Sequence, residues 1–106
     1  MPKFMFQASY SADGAKGLLK DGGSGRKAAI EALFKSAGGK LESIYYAFGQ
    51  DDLYLIGDFP DGTSAASVSL TVGASGGARV TTVVLLTPEE IDAATKKSLK
   101  YQAPGK

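Results

Sequence analysis

The chain has 106 residues, 43% hydrophobic and 22% charged, with a formal net charge of +1; this is ordinary for one globular domain over residues 1–106 and excludes a disordered polymer. With no cysteine and no histidine, it can carry no disulfide, no thiolate nucleophile, no serine–histidine–aspartate triad, and no histidine-held haem or zinc site of the usual kinds. A near-neutral balance gives no field for phosphate backbones, so nucleic acid is not an expected partner. No run is apolar for long enough to form a signal peptide or span a bilayer, so the expectation is a cytoplasmic protein with no membrane partner.

Residues Lys3 to Tyr10 alternate, with Phe4, Phe6, Ala8 and Tyr10 on one side. This period of two predicts a strand with one strongly apolar face. Ser11 is a candidate N-cap for a helix carrying Ala15, Leu18 and Leu19, which Gly22-Gly23 ends. A stronger helix follows from about Ser24 to Ala37, with Ile30, Leu33, Phe34 and Ala37 on one face. Together the two make a bent crossover.

Leu41 to Phe48 and Leu53 to Phe59 read as a second and a third strand, joined through a hairpin connection that starts at Gly49. Pro60-Asp61-Gly62 is a turn leading into a helix from about Thr63 to Ala74, with Ala65, Val68 and Val72 on one face. Arg79 to Leu86 is the fourth strand. Thr87-Pro88-Glu89-Glu90 supplies a cap, a first-position proline and a capping-box glutamate. The helix it starts has Ile91, Ala94 and Leu99 as an apolar stripe, with Lys96, Lys97 and Lys100 at its negative end.

The order βαββαβ plus a last helix predicts an α+β, ferredoxin-like domain: a four-stranded antiparallel sheet with helices on one face. The other face of such a sheet should be polar if it meets water. Here Val80, Thr82, Val84 and Leu86 lie against Thr81, Val83 and Leu85, and Leu53, Leu55 and Phe59 against Tyr54 and Ile56. Apolar residues on both faces imply that both are covered. Pairing two such sheets would bury roughly 1,600 Å², enough to outweigh an association cost of about 4–15 kcal/mol. A homodimer or larger homo-oligomer is expected.

Phe4-Met5-Phe6-Gln7-Ala8-Ser9-Tyr10, Gly14-Ala15-Lys16-Gly17-Leu18-Leu19 and Tyr45-Tyr46-Ala47-Phe48-Gly49 resemble the GYD-domain family, small bacterial proteins of the dimeric α/β-barrel superfamily. Asp58-Phe59-Pro60-Asp61, Leu85 to Glu90 and the tail Tyr101-Gln102-Ala103-Pro104 extend the resemblance over nearly the whole chain. In the stretch Gly49-Gln50-Asp51-Asp52, Asp51 stands where the family usually has tyrosine. The resemblance implies the fold and the pairing, and it supplies no activity.

Ligands of that superfamily sit between the helices and the sheet or inside the barrel, which makes Tyr10, Tyr46, Tyr54, Asp52, Asp58 and Arg79 the ligand-binding candidates. Asp58 shares a strand face with Tyr54 and Ile56. It is either a desolvated proton acceptor or a strand-end carboxylate that is wet or paired with Arg79. Asp52 either orients a ligand or bonds its own turn. Asp51, Asp52, Asp58 and Asp61 lack the spacing of a calcium loop, so no metal and no cofactor is expected. Gly22 to Lys27 resembles a phosphate loop but fails the P-loop pattern and reads more simply as a joint between helix pieces. Arg26 and Lys27 nevertheless oppose the dipole of the helix they open unless an anion meets them.

Three functions fit these residues. The first is a homo-oligomeric binding module for a small, partly apolar molecule. The second is a cofactor-independent isomerase or monooxygenase that moves protons with tyrosine and aspartate. The third is an oligomerisation scaffold with a filled interior.

Overall fold

A computed structural model describes residues 1–106. The elements run β1 (Lys3–Tyr10), α1 (Ala12–Ser36), β2 (Lys40–Tyr46), β3 (Leu53–Asp58), α2 (Gly62–Ala74), β4 (Ala78–Leu85) and α3 (Pro88–Thr95). The strands form one antiparallel sheet in the order β2-β3-β1-β4. This is the expected ferredoxin-like α+β arrangement, with the first strand at the centre.

Local chemistry sets most boundaries. The Ser11 hydroxyl accepts from the Gly14 N–H and caps α1, and the Asp61 carboxylate accepts from the Ser64 N–H to cap α2. At α3 the Thr87 and Glu90 side chains complete a reciprocal capping box. The two expected helix pieces are continuous in α1 except at Gly22, whose φ of 74° and ψ of 167° kink it. Only glycine takes that conformation without steric cost.

α1 packs over β2 and α2 over β4, and the sheet's inward side presents Phe4, Phe6, Ala8, Leu53 and Leu55 between them. At the Lys3 end, Phe4, Phe6, Phe34 and Phe59 close the core as an aromatic cluster, with ring centroids 4.9–6.1 Å apart in edge and tilted geometries. Ile30, Phe34, Ala65 and Val68 are the buried helix positions. They fall on the faces that the periodicity indicates.

The first part of α1 departs from that reading. Gly14, Gly17 and Leu18 are its half-buried positions, whereas Ala15 and Leu19 are exposed. The reason is a close approach to the chain before β4: the Ser11 N–H donates to the Gly77 carbonyl at 2.9 Å, and a Cβ at Gly14 would lie 1.9 Å from that oxygen. Only the glycine face can meet it.

β2 ends at Tyr46 rather than Phe48, because Phe48 takes a left-handed φ of 57° that no strand can continue through. The last helix also differs from expectation. It stops at Thr95, it buries none of its residues, and Ile91 and Leu99 are exposed. The Ile91–Ala94–Leu99 stripe covers nothing within the chain, and Lys97 and Lys100 lie beyond the helix they were expected to cap.

Candidate functional site

Because α1 leans over β2 and α2 over β4, a gap remains above the two central strands toward the Tyr10 end of the sheet. It is a cavity of about 350 Å³, within the usual range of small-molecule sites. Phe6, Ala8, Leu53, Leu55 and Val80 make its floor, and Ile30, Leu33, Phe34, Val68 and Val72 its helical walls. Gly14 and Gly17 line the entry of α1 and, having no side chains, leave that wall open.

Few polar groups reach this space. The Thr71 and Ser75 hydroxyls donate to the Ser67 and Val72 carbonyls of their own helix, at 2.7 and 2.6 Å. The Gly77 carbonyl accepts from the Ser11 N–H and hydroxyl. Two side chains remain, Arg26 and Tyr10. Arg26 makes one long contact, Nη1 to Asp21 Oδ2 at 3.5 Å, on an exposed face. Tyr10 Oη is shut off from solvent and has no hydrogen-bond partner. Burial pushes its pKa up; the neighbouring Tyr46 adds to this and Arg26 opposes it. The phenol is therefore neutral, and its proton is free to be donated.

The six candidates divide between the two sides of the sheet. Tyr10 lines the cavity. Tyr46 stands beside it, its hydroxyl donating to the Gly23 carbonyl at 3.2 Å and its ring stacked on Phe48. Asp52 is bonded to the end of β1: its carboxylate accepts from the Tyr10 N–H at 2.8 Å and its N–H donates to the Ala8 carbonyl. That side chain binds the end of β1, while the Asp52 carbonyl accepts from the Ala47 N–H across its own turn. The neighbouring Asp51 accepts from the Ser9 hydroxyl at 3.2 Å.

Tyr54, Asp58 and Arg79 point away from the cavity, onto the open face of the sheet. Tyr54 pairs across strands with Tyr45. Asp58 does not pair with Arg79. The register sets Asp58 opposite Lys3 and Arg79 opposite Ser9, at the two ends of β1. Lys3 Nζ donates to Asp58 at 2.8 Å and to Glu42 at 2.7 Å. These two bonds, that to Asp58 first, raise the Lys3 pKa. Asp58 is thus ion-paired at a sheet end and does not share a pocket with Tyr10.

Sequence reasoning did not place Arg26 at the cavity it lines, although its position at the start of a helix piece was the available signal. A family model described as the GYD domain matches residues 4–95. The chain belongs to the GYD domain family. The matched region runs from the first buried residue of β1 to the last residue of α3, so the GYD domain includes the cavity, the open sheet face and the exposed last helix. No curated protein and no solved structure gives a significant match to the chain.

Proposed function

We propose that this GYD domain is a homo-oligomeric binding module for a small, largely apolar molecule. The observation that carries the reading is the cavity of about 350 Å³ between helices and sheet, with an apolar lining and an unpartnered phenol at one end. The scaffold reading requires a filled interior, which the cavity weighs against. The proton-transfer reading needs tyrosine and aspartate together, and Tyr10 and Asp58 lie on opposite faces of the sheet.

Self-association is supported by the shape of the single chain. Its accessible surface is 7259 Å², against about 5,600 Å² for a compact monomer of this mass. Its radius of gyration is 16.8 Å, against about 13 Å for a compact domain of this length. Only eleven residues are buried, which is a small core for such a chain. The uncovered apolar surface includes the open sheet face, with Met5, Ile56, Val83 and Leu85 half-buried and Tyr45 exposed. It also includes the last helix and the C-terminal tail, through Ile91, Leu99 and Tyr101. A second copy laid on the open face would cover the apolar residues that a solvated sheet face does not normally show.

The bacterial cytoplasm is the proposed setting, on the resemblance to small bacterial proteins. No helix is long and apolar enough to cross a membrane.

Native mass spectrometry of untagged protein tests both halves of the proposal. The expected result is a dimer or larger assembly that carries, or takes up, one small molecule per chain. A monomer that retains nothing would overturn the proposal.

A further inference from the structure

We infer that the molecule taken up in the cavity is an amphipathic monoanion, an apolar body ending in a carboxylate, with its head at Arg26 and Tyr10. This rests on the binding-module reading and adds the chemical class of the ligand.

The cavity's own hydrogen-bonding groups select that class. No aspartate, glutamate or lysine lines it. The serine and threonine hydroxyls on its wall are committed to backbone carbonyls. The groups left are the Arg26 guanidinium, which only donates, and the Tyr10 hydroxyl, whose proton has no acceptor. A cationic ligand would find no counter-charge here. A neutral apolar ligand would leave the buried Tyr10 hydroxyl as unanswered as it is without a ligand, and so gains nothing from it. A carboxylate answers both donors, because a planar anion accepts the two parallel N–H groups that arginine presents and has lone pairs left for a phenol.

Three features of the fold favour an anion at this spot. The apolar walls lower the local dielectric, which strengthens an ion pair relative to one in water. Arg26 lies four residues after the Gly22 kink, in the first turn of the second part of α1, where a helix favours negative charge and disfavours a lone cation. The arginine is also free to move. Its side chain is 36% exposed and held only by the 3.5 Å contact to Asp21. Arg26 and Tyr46 flank Tyr10 Oη, so a head group held by Arg26 lies beside the phenol. Asp52 and Asp21 are the acidic side chains hydrogen-bonded to Tyr10 and to Arg26. The first is occupied by the Tyr10 N–H, and the second lies on the outer side of Arg26 and does not line the cavity.

Isothermal titration calorimetry with octanoate and with octan-1-ol separates the head group from the tail, using the full chain and its R26Q variant. The expected result is that octanoate binds the unmodified protein at least tenfold more tightly than octan-1-ol. In R26Q that ratio should fall to within about twofold of one, while circular dichroism shows the fold retained. If both probes bind the unmodified protein equally, the cavity reading stands and the anion inference falls. An octanoate preference that survives in R26Q overturns the assignment of the head group to Arg26. If neither probe binds, the cavity reading fails, and this inference fails with it. Should R26Q not fold, Tyr10→Phe serves as the second variant. It should lower the octanoate affinity several-fold and leave that for octan-1-ol within twofold, and an unchanged octanoate affinity would overturn the role given to the phenol.

Discussion

Replacing Tyr10 by phenylalanine removes one oxygen and keeps the ring that lines the cavity. That oxygen has lost its contact with water and gained no protein partner. A buried polar group left in this state costs about 1–3 kcal/mol relative to its hydrated form. Removing it should therefore stabilise the ligand-free protein, most conservatively by about 1 kcal/mol. With a urea dependence of about 1–3 kcal/mol/M for a chain of this size, the unfolding midpoint moves up by roughly half a molar. The slope should not change, since the surface exposed on unfolding is the same. Far-ultraviolet circular dichroism against urea gives the midpoint, at one fixed protein concentration because an associating chain unfolds in a concentration-dependent way. A gain in stability joined to a loss of octanoate affinity is the pattern of a group kept for binding at the expense of the empty fold. A loss of about 1 kcal/mol in Tyr10→Phe would refute the reasoning, since it would mean that the hydroxyl is already hydrogen-bonded in solution.

Gly14→Ala should destabilise by about 1–3 kcal/mol or more, the range for overpacking, because its Cβ would fall 1.9 Å from the fixed Gly77 carbonyl oxygen; thermal unfolding reads it, and an unchanged melting temperature would refute the close approach. Phe34→Ala, in the aromatic cluster and 1% exposed, should cost about 3–5 kcal/mol, measured by the same urea titration. The Ser64 N–H holds the Asp61 carboxyl below its ordinary value of 3.8, so this cap stabilises above that pH and is lost as pH falls through the lowered value. Asp61→Ala should flatten the acid limb of a melting-temperature profile between about pH 5 and 2, and an unaltered limb would count against the cap. Ile56→Lys places a charge on the open sheet face and should shift the assembly toward monomer in sedimentation velocity, whereas an unshifted oligomer would place the interface elsewhere.

How much of this could be read from the residues depends on the distance over which each feature is decided. The caps Ser11 and Thr87, the turn at Pro60-Asp61-Gly62, the break at Gly22-Gly23 and the alternation of Lys3 to Tyr10 are settled within a few residues, and each is found where the pattern puts it. Periodicity also gave the inward faces of the second part of α1 and of α2, because burying a stripe is the main reason those segments are helical. It misplaced the inward face of the first part of α1. There Gly14, which carries no hydrophobic signal, meets a carbonyl far along the chain, that of Gly77. The last helix misled for the converse reason: it has the local chemistry of a helix and an apolar stripe, but no part of its own chain lies against it.

The candidate site was legible in residue type more than in partnership. Tyrosines and aspartates were visible as chemistry-bearing residues on strands, but which of them share a space depends on register. A pairing that sets Asp58 opposite Lys3 puts it at the far end of β1 from Arg79 and on the far side of the sheet from Tyr10. Arg26 was visible as a cation ill-placed for its helix, without any sign of what lay beneath it.

The sequence by itself determined the element order, the caps, the break in α1 and the two apolar sheet faces, since these depend on backbone preference and on periods of two and about 3.6 residues. Only the tertiary structure decided that α1 and α2 lean apart over opposite strands, that the gap between them is a cavity, and that Tyr10 and Arg26 are its uncommitted donors. Those facts arise from the register of strands far apart in the chain and the packing of helices against them, which no local pattern encodes.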